Sequence, residues 1–294
     1  MALGATLFAL MNFLARLATT SASWATAGAV RALVGALVAF GVARWRGRSL
    51  APRRFSAIFW RSVLGTIAML STFYALSSKT VSLGNTVTLL NLSPVFLALL
   101  APVFLGERTS ARVALAIGIA LAGVVLVVQP AVLFGGSHGS HLAAVVGSGP
   151  SAATTNFVAV FAALSTSIAM ILLRRAGKTE TAEAIAFHFS LLASGTMTFL
   201  ALFDLRLPSL RDGVLMIGAG VCAGFGQLAI TRAYALESAA RVGGMSYLSV
   251  VVSAVLGAAV LGEHTSTITV LGMALVIGGG LVAMAPPSRP LRSA

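Results

Sequence analysis

Hydrogen-bonding side chains recur at helical spacing along an otherwise oily chain. Thr88 and Asn91 stand three apart, just before Pro94. Gln227, Thr231 and Tyr234 follow i, i+4, i+7; Ser246, Ser249 and Ser253 follow i, i+3, i+7, with Tyr247 alongside. Asn12 and Arg16 are one turn apart, Thr72, Phe73 and Tyr74 are consecutive, and Ser165 sits in a further apolar stretch. Such spacings put side chains on one helix face. Brought together, these faces offer hydroxyls and amides to the polar end of a small molecule and rings to its body, which is the make-up of a binding pocket. Ser and Thr also glue apolar helices together, at about 0.6 kcal/mol each, so a lone hydroxyl reads first as packing. An amide or guanidinium is costlier to bury without use, which places Asn12, Asn91, Gln227 and Arg232 toward a cavity. Arg31 and His188, 157 residues apart, are assigned to an inner loop or to packing, and Lys79 to a solvated interface.

The chemistry that is absent narrows the class. There is no His-Glu-x-x-His run and no phosphate loop ending in Gly-Lys-Ser/Thr. Four His and seven acidic residues are scattered. No catalytic residue, metal site or cofactor is expected, and ATP-driven pumping by this chain alone is excluded. The single cysteine, Cys222, reads as a packed small residue.

Of 294 residues, 58% are hydrophobic and 9% charged, against roughly 25% charged in a soluble domain. Apolar stretches of span length recur, at 2–19, 25–43, 57–76, 82–105, 111–128, 155–173, 182–203, 213–235, 240–261 and 267–284. With no basic leader ahead of it, 2–19 reads as the first span. The expected fold is an all-α membrane protein of ten transmembrane helices. A Gly-, Ser- and Pro-rich linker, 131–154, divides it into 1–130 and 155–294. The net charge of +13 lies between spans, where it sets orientation and meets anionic lipid rather than nucleic acid. Thirteen Lys and Arg fall on one side and three (Lys79, Arg206, Arg211) on the other. Both termini are therefore expected in the cytoplasm. Eighteen Arg against two Lys point to a GC-rich bacterium and to its cytoplasmic (inner) membrane.

The chain also repeats itself. Leu92–Glu107, LSPVFLALLAPVFLGE, aligns without a gap with Leu248–Glu263, LSVVVSAVLGAAVLGE, with eight of sixteen positions identical at an offset of 156. That offset is five spans, an odd number, so the second copy crosses the membrane in the opposite sense. Inverted-topology repeats are a transporter architecture. Pro94 and Pro102 have no proline in the second copy, so they mark a hinge or static kink in span four. Ala114, Gly118 and Ala122 in span five, with Ala274 and Gly278 in span ten, allow close helix approach within the chain or across a homodimer.

These motifs resemble the drug/metabolite transporter superfamily, in particular its ten-span EamA-type exporters. The resemblance rests on LSPVFLALLAPVFLGERTS, NFLARLA at 12–18, VRALVGAL at 30–37 and LGEHTS in the second half. Where the family often has Trp three residues before the first-span Asn, this chain has Ala9. The resemblance implies a carrier exporting small metabolites, often amino acids. It also implies a cavity among spans 1–4 and 6–9, with spans 5 and 10 to one side. The polar faces themselves point to spans 1, 3, 4, 6, 8 and 9. Phe73, Tyr74, Tyr234 and Tyr247 suggest aromatic amino acids. The acidic residues fall at span ends or in loops, leaving His188 as the titratable group within a span. Transport driven by the substrate's own gradient is expected. The alternatives are a metabolite or drug/proton exchanger of the same fold, a channel, or an intramembrane enzyme.

Overall fold

The structure, a computed structural model, describes residues 1–18, 23–78, 80–81, 86, 89–105, 111–128, 151–204, 208–236, 242, 248–261 and 266–284. Among them are ten helices and no strand: α1 (Ala2–Ala18), α2 (Trp24–Trp45), α3 (Phe55–Ser77), α4 (Ser93–Leu105), α5 (Ala111–Val128), α6 (Ala152–Ala176), α7 (Ala182–Ala201), α8 (Leu210–Leu236), α9 (Leu248–Leu261) and α10 (Thr267–Met284). Each falls on one apolar stretch of the sequence. Five of them, α2, α3, α6, α7 and α8, are long and apolar enough by themselves to cross a membrane.

Local chemistry sets the ends. Ser23, Ser151 and Thr181 precede α2, α6 and α7, and their hydroxyls accept from Thr26, Thr154 and Ala184 N–H, three residues on, satisfying donors that a helix start leaves open. Helix α2 closes on Gly47 at φ +60, with Arg48 N–H reaching Ala43 O and Gly47 N–H reaching Arg44 O; a glycine adopts this left-handed turn without strain. Span four differs from the continuous 82–105 helix that the sequence suggests. Residues 91–92 form a turn before α4 begins. Pro94 has no N–H to offer Leu90 O, and its ring crowds that carbonyl. Pro94 thus stands in the first turn of α4, whereas Pro102 lies inside it.

Packing is small inside and large outside. Ala25, Ala32, Ala36 and Ala39 of α2 and Ala186 and Ala193 of α7 are buried, while Leu33, Leu37, Phe40, Phe157, Leu191 and Phe225 are exposed. A soluble core would reverse this; apolar surroundings leave close backbone approach as the main attraction between helices. The pairings follow a rule. Helix α1 packs on α8 as α6 does on α3, α1 on α9 as α6 on α4, and α2 on α8 as α7 on α3; α2–α7 and α5–α10 pair directly. Exchanging each helix with the one five places on reproduces the set.

Helices α5 and α10 meet through Gly123, where a Cβ would lie 2.6 Å from Gly272 O. The sequence stripe predicted for this contact points elsewhere. Gly118 and Gly278 have nothing within 4 Å of a built Cβ, and Ala122 and Ala274 are exposed. Spacing identifies small residues but not the side they face. At one end, Glu180 clasps the α2–α3 loop, accepting from Arg53 N–H at 3.0 Å and Arg54 N–H at 2.6 Å.

Candidate functional site

Eight of the ten helices surround one cavity of about 180 Å³, room for a metabolite on the order of ten heavy atoms. Helix α1 contributes Phe8, Met11 and Asn12, α3 contributes Met69, Thr72 and Phe73, and the α4 end contributes Asn91 and Ser93. The other half supplies Thr166 and Met170 from α6, Gln227 and Tyr234 from α8 and Ser249 from α9. No lining residue comes from α5 or α10. The polar rows of the sequence are therefore drawn together by the helix pairings just described. Ser249 Oγ donates to Asn91 Oδ1 at 3.1 Å, joining the two halves across the cavity.

Five sequence-predicted residues line this space: Asn12, Phe73, Asn91, Gln227 and Tyr234. Thr231 lies one turn behind the lining and accepts from Gln227 Nε2 at 3.2 Å, fixing the amide's orientation. Ser165 is buried but its neighbour Thr166 takes the lining position. Tyr74 turns away and packs edge-on against Trp24, ring centres 5.8 Å apart. Arg232 also leaves the cavity, pairing with Glu183 at 2.5 Å; a half-exposed guanidinium at a helix end takes the nearest acid. Thr88, Ser246, Tyr247 and Lys79 lie outside the described residues, as does a Gly-x-Ser-x-Gly match at 135–139 in the linker.

The sequence reading omits α2 and α7 from the cavity wall, yet both reach it, through Arg31 and Phe189. With Arg61 of α3 they form its most unusual part. Arg31 is 4% exposed and Arg61 1%. Arg31 Nη1 rests on the Met69 sulfur, and its guanidinium lies 5.9 Å from the Phe73 ring centre. Arg61 stacks over Phe189 at 4.6 Å. Arg31 Nε, Arg61 Nε and Arg61 Nη1 have no hydrogen-bond partner. Burying one guanidinium in a span costs at least roughly 2.5–3.5 kcal/mol; a cation–π contact returns about 0.5–2 kcal/mol. Neither arginine is made whole by its surroundings. Gly65 provides the room for Arg61, since a Cβ there would sit 2.1 Å from Arg61 Nη1 and 2.9 Å from the Phe189 ring. No acidic residue lines the cavity. Among the described residues, no three His, Cys, Asp or Glu side chains gather to hold a metal ion.

His188 stands apart from the lining. Its Nδ1 is 2.9 Å from Ala184 O on its own helix, and its ring meets Phe187 edge-on. Cys222 is half-buried beside Met11, Ala219 and Ala223, between α1 and α8.

A helical bundle with lipid-like outer faces around one polar-and-aromatic cavity defines a multi-pass membrane transporter. Comparison with known proteins agrees with that class. The profile of the EamA-like transporter family matches residues 1–129 and 153–285, and the chain belongs to this family. It is 28% identical over 272 residues to a pseudopaline exporter of Pseudomonas aeruginosa, covering 92% of this chain and 89% of the relative. It is also 28% identical over 201 residues to mouse solute carrier family 35 member G1, where the match spans 66% of this chain and 52% of the relative. A solved crystal structure, 20% identical, superposes with a TM-score of 0.72 over 96% of this chain and 94% of its own, and shares the fold.

Proposed function

We propose that the protein is a facilitative exporter of small metabolites in a bacterial cytoplasmic membrane. It has ten spans and cytoplasmic termini, and works by alternating access between two inverted five-helix halves. The observation that carries this reading is the convergence of α1–α4 and α6–α9 on one cavity, with α5 and α10 excluded. The exchange rule in the helix pairings supports the inverted repeat, since symmetry-related halves can trade inward-open and outward-open shapes around a fixed site. The likeness to a pseudopaline exporter supports export. Carboxylate-bearing metabolites related to amino acids are the substrate class. An aromatic preference rests on Phe73 and Tyr234 alone, because Tyr74 packs on Trp24. Proton coupling is disfavoured because the titratable His188 is bonded to its own helix, away from the cavity.

The test is counterflow in liposomes holding the purified protein, with a labelled panel of amino acids and organic acids and no pH or sodium gradient. Saturable counterflow is expected. Non-saturable flux without counterflow would indicate a channel, and strict dependence on an imposed ion gradient would indicate an exchanger.

A further inference from the structure

The cavity holds two cations and no anion. Arg31 and Arg61 are on different helices, both with their guanidinium groups buried against the cavity wall. Arg61 stands one turn before Gly65 on α3, and Arg31 contacts Met69 one turn beyond Gly65. The two groups therefore address two levels of the same space, separated by about 12 Å of helix rise along α3. Three of their nitrogens lack partners. Neither arginine makes an ion pair among the described residues. The buried acids are engaged elsewhere, Glu183 with Arg46 and Arg232 and Glu180 with backbone N–H groups. A planar guanidinium fork matches an oxyanion in geometry as well as in charge.

From this we infer that the transported species is a net anion carrying more than one carboxylate, with Arg31 and Arg61 as its specificity-determining residues. This rests on the carrier reading above and narrows its substrate. A neutral zwitterion satisfies one guanidinium but brings its ammonium into a cavity lined by no carboxylate. A cation is repelled by both. A di- or tricarboxylate, or an acidic amino-acid derivative, supplies the missing counter-charge at two levels. Phe73, Phe8, Met11 and Met170 enclose its carbon body. Because the arginines await an anion, the empty carrier and the loaded carrier differ in internal net charge, and each crossing of the loaded form moves negative charge with the substrate.

The experiment uses the full chain in liposomes with five probes: succinate, L-glutamate, glucose 6-phosphate, L-phenylalanine and L-lysine. Wild type, Arg31→Met, Arg61→Met and the two Arg→Lys variants are compared. Succinate or L-glutamate counterflow is expected in wild type, at least about tenfold above that of L-phenylalanine or L-lysine. Each Met variant should lose at least about tenfold of it, while each Lys variant retains part, since charge without the fork is kept. The Met variants should elute as monodisperse protein and melt no lower than wild type, because they remove a buried charge rather than a contact; loss of folded protein instead would make the arginines structural and overturn the assignment. Counterflow of L-phenylalanine or L-lysine in preference to the anions overturns the inference and leaves the carrier reading standing. Preference for glucose 6-phosphate over succinate overturns the carboxylate assignment. Anion counterflow unchanged in both Met variants removes the arginines from the site. No counterflow of any probe overturns the carrier reading and this inference with it.

Discussion

Helix α7 carries Glu183 near one end and Phe189 less than two turns further on, and the ionic groups around the two are handled in opposite ways. Around Glu183 the chain is self-sufficient: a buried carboxylate meets Arg46 at 3.5 Å and Arg232 at 2.5 Å, and both arginines keep more than a third of their side chains exposed. Around Phe189 it is not. Arg61 has an aromatic face, three buried hydroxyl or guanidinium neighbours without partners on its own helix, and no acid. Where charge serves the fold, the sequence provides its opposite. Where it is left open, the opposite must arrive from outside.

This contrast can be broken directly. Met69→Glu places a carboxylate beside Arg31 and makes the cavity resemble the Glu183 site. Succinate or L-glutamate counterflow should fall about 30-fold, equivalent to about 2 kcal/mol, with the melting temperature unchanged or raised. Undiminished anion counterflow would show that the arginine is not used by the substrate. The reverse change, Glu183→Gln, strips the self-sufficient site. It should cost about 1–2 kcal/mol of stability, less than a fully buried pair because both arginines are partly solvated. Chemical denaturation in detergent measures this, and the half-saturation concentration should stay within about twofold. Asn91→Ala and Gln227→Ala each remove one neutral hydrogen-bonding group from the wall. About fivefold weaker half-saturation is expected from each, near 1 kcal/mol, without loss of folded protein. The smallest effect belongs to His188→Ala, which should change counterflow by less than about twofold, since its ring bonds only to its own helix. A large loss there would restore proton coupling to consideration.

The helices were legible because apolar length alone defines them. The amides Asn12, Asn91 and Gln227 were legible because each is costly to bury at random. Arg31 and Arg61 were not. An arginine a few residues inside an apolar stretch reads as a snorkelling or orienting charge, and nothing in the spacing says which way it turns. The available signal was negative: neither has an acid within one helical turn in sequence. Thr231 and Tyr74 share helix faces with lining residues, yet sit behind the wall because the neighbouring helix, not the period, decides which part of a face is open. The same limit hid the true α5–α10 contact at Gly123, one residue from the stripe that regular spacing picked out.

The alanine-lined seam between α2 and α7 has a mechanical consequence. Interdigitated leucines resist sliding because every displacement forces rotamers to reset and opens voids. Facing alanines have no side-chain torsions to reset, and Gly35 lets Ser190 Oγ come within 3.4 Å of where a Cβ would stand. Such a seam behaves as a plain bearing: adhesive across its full length, yet nearly smooth along it.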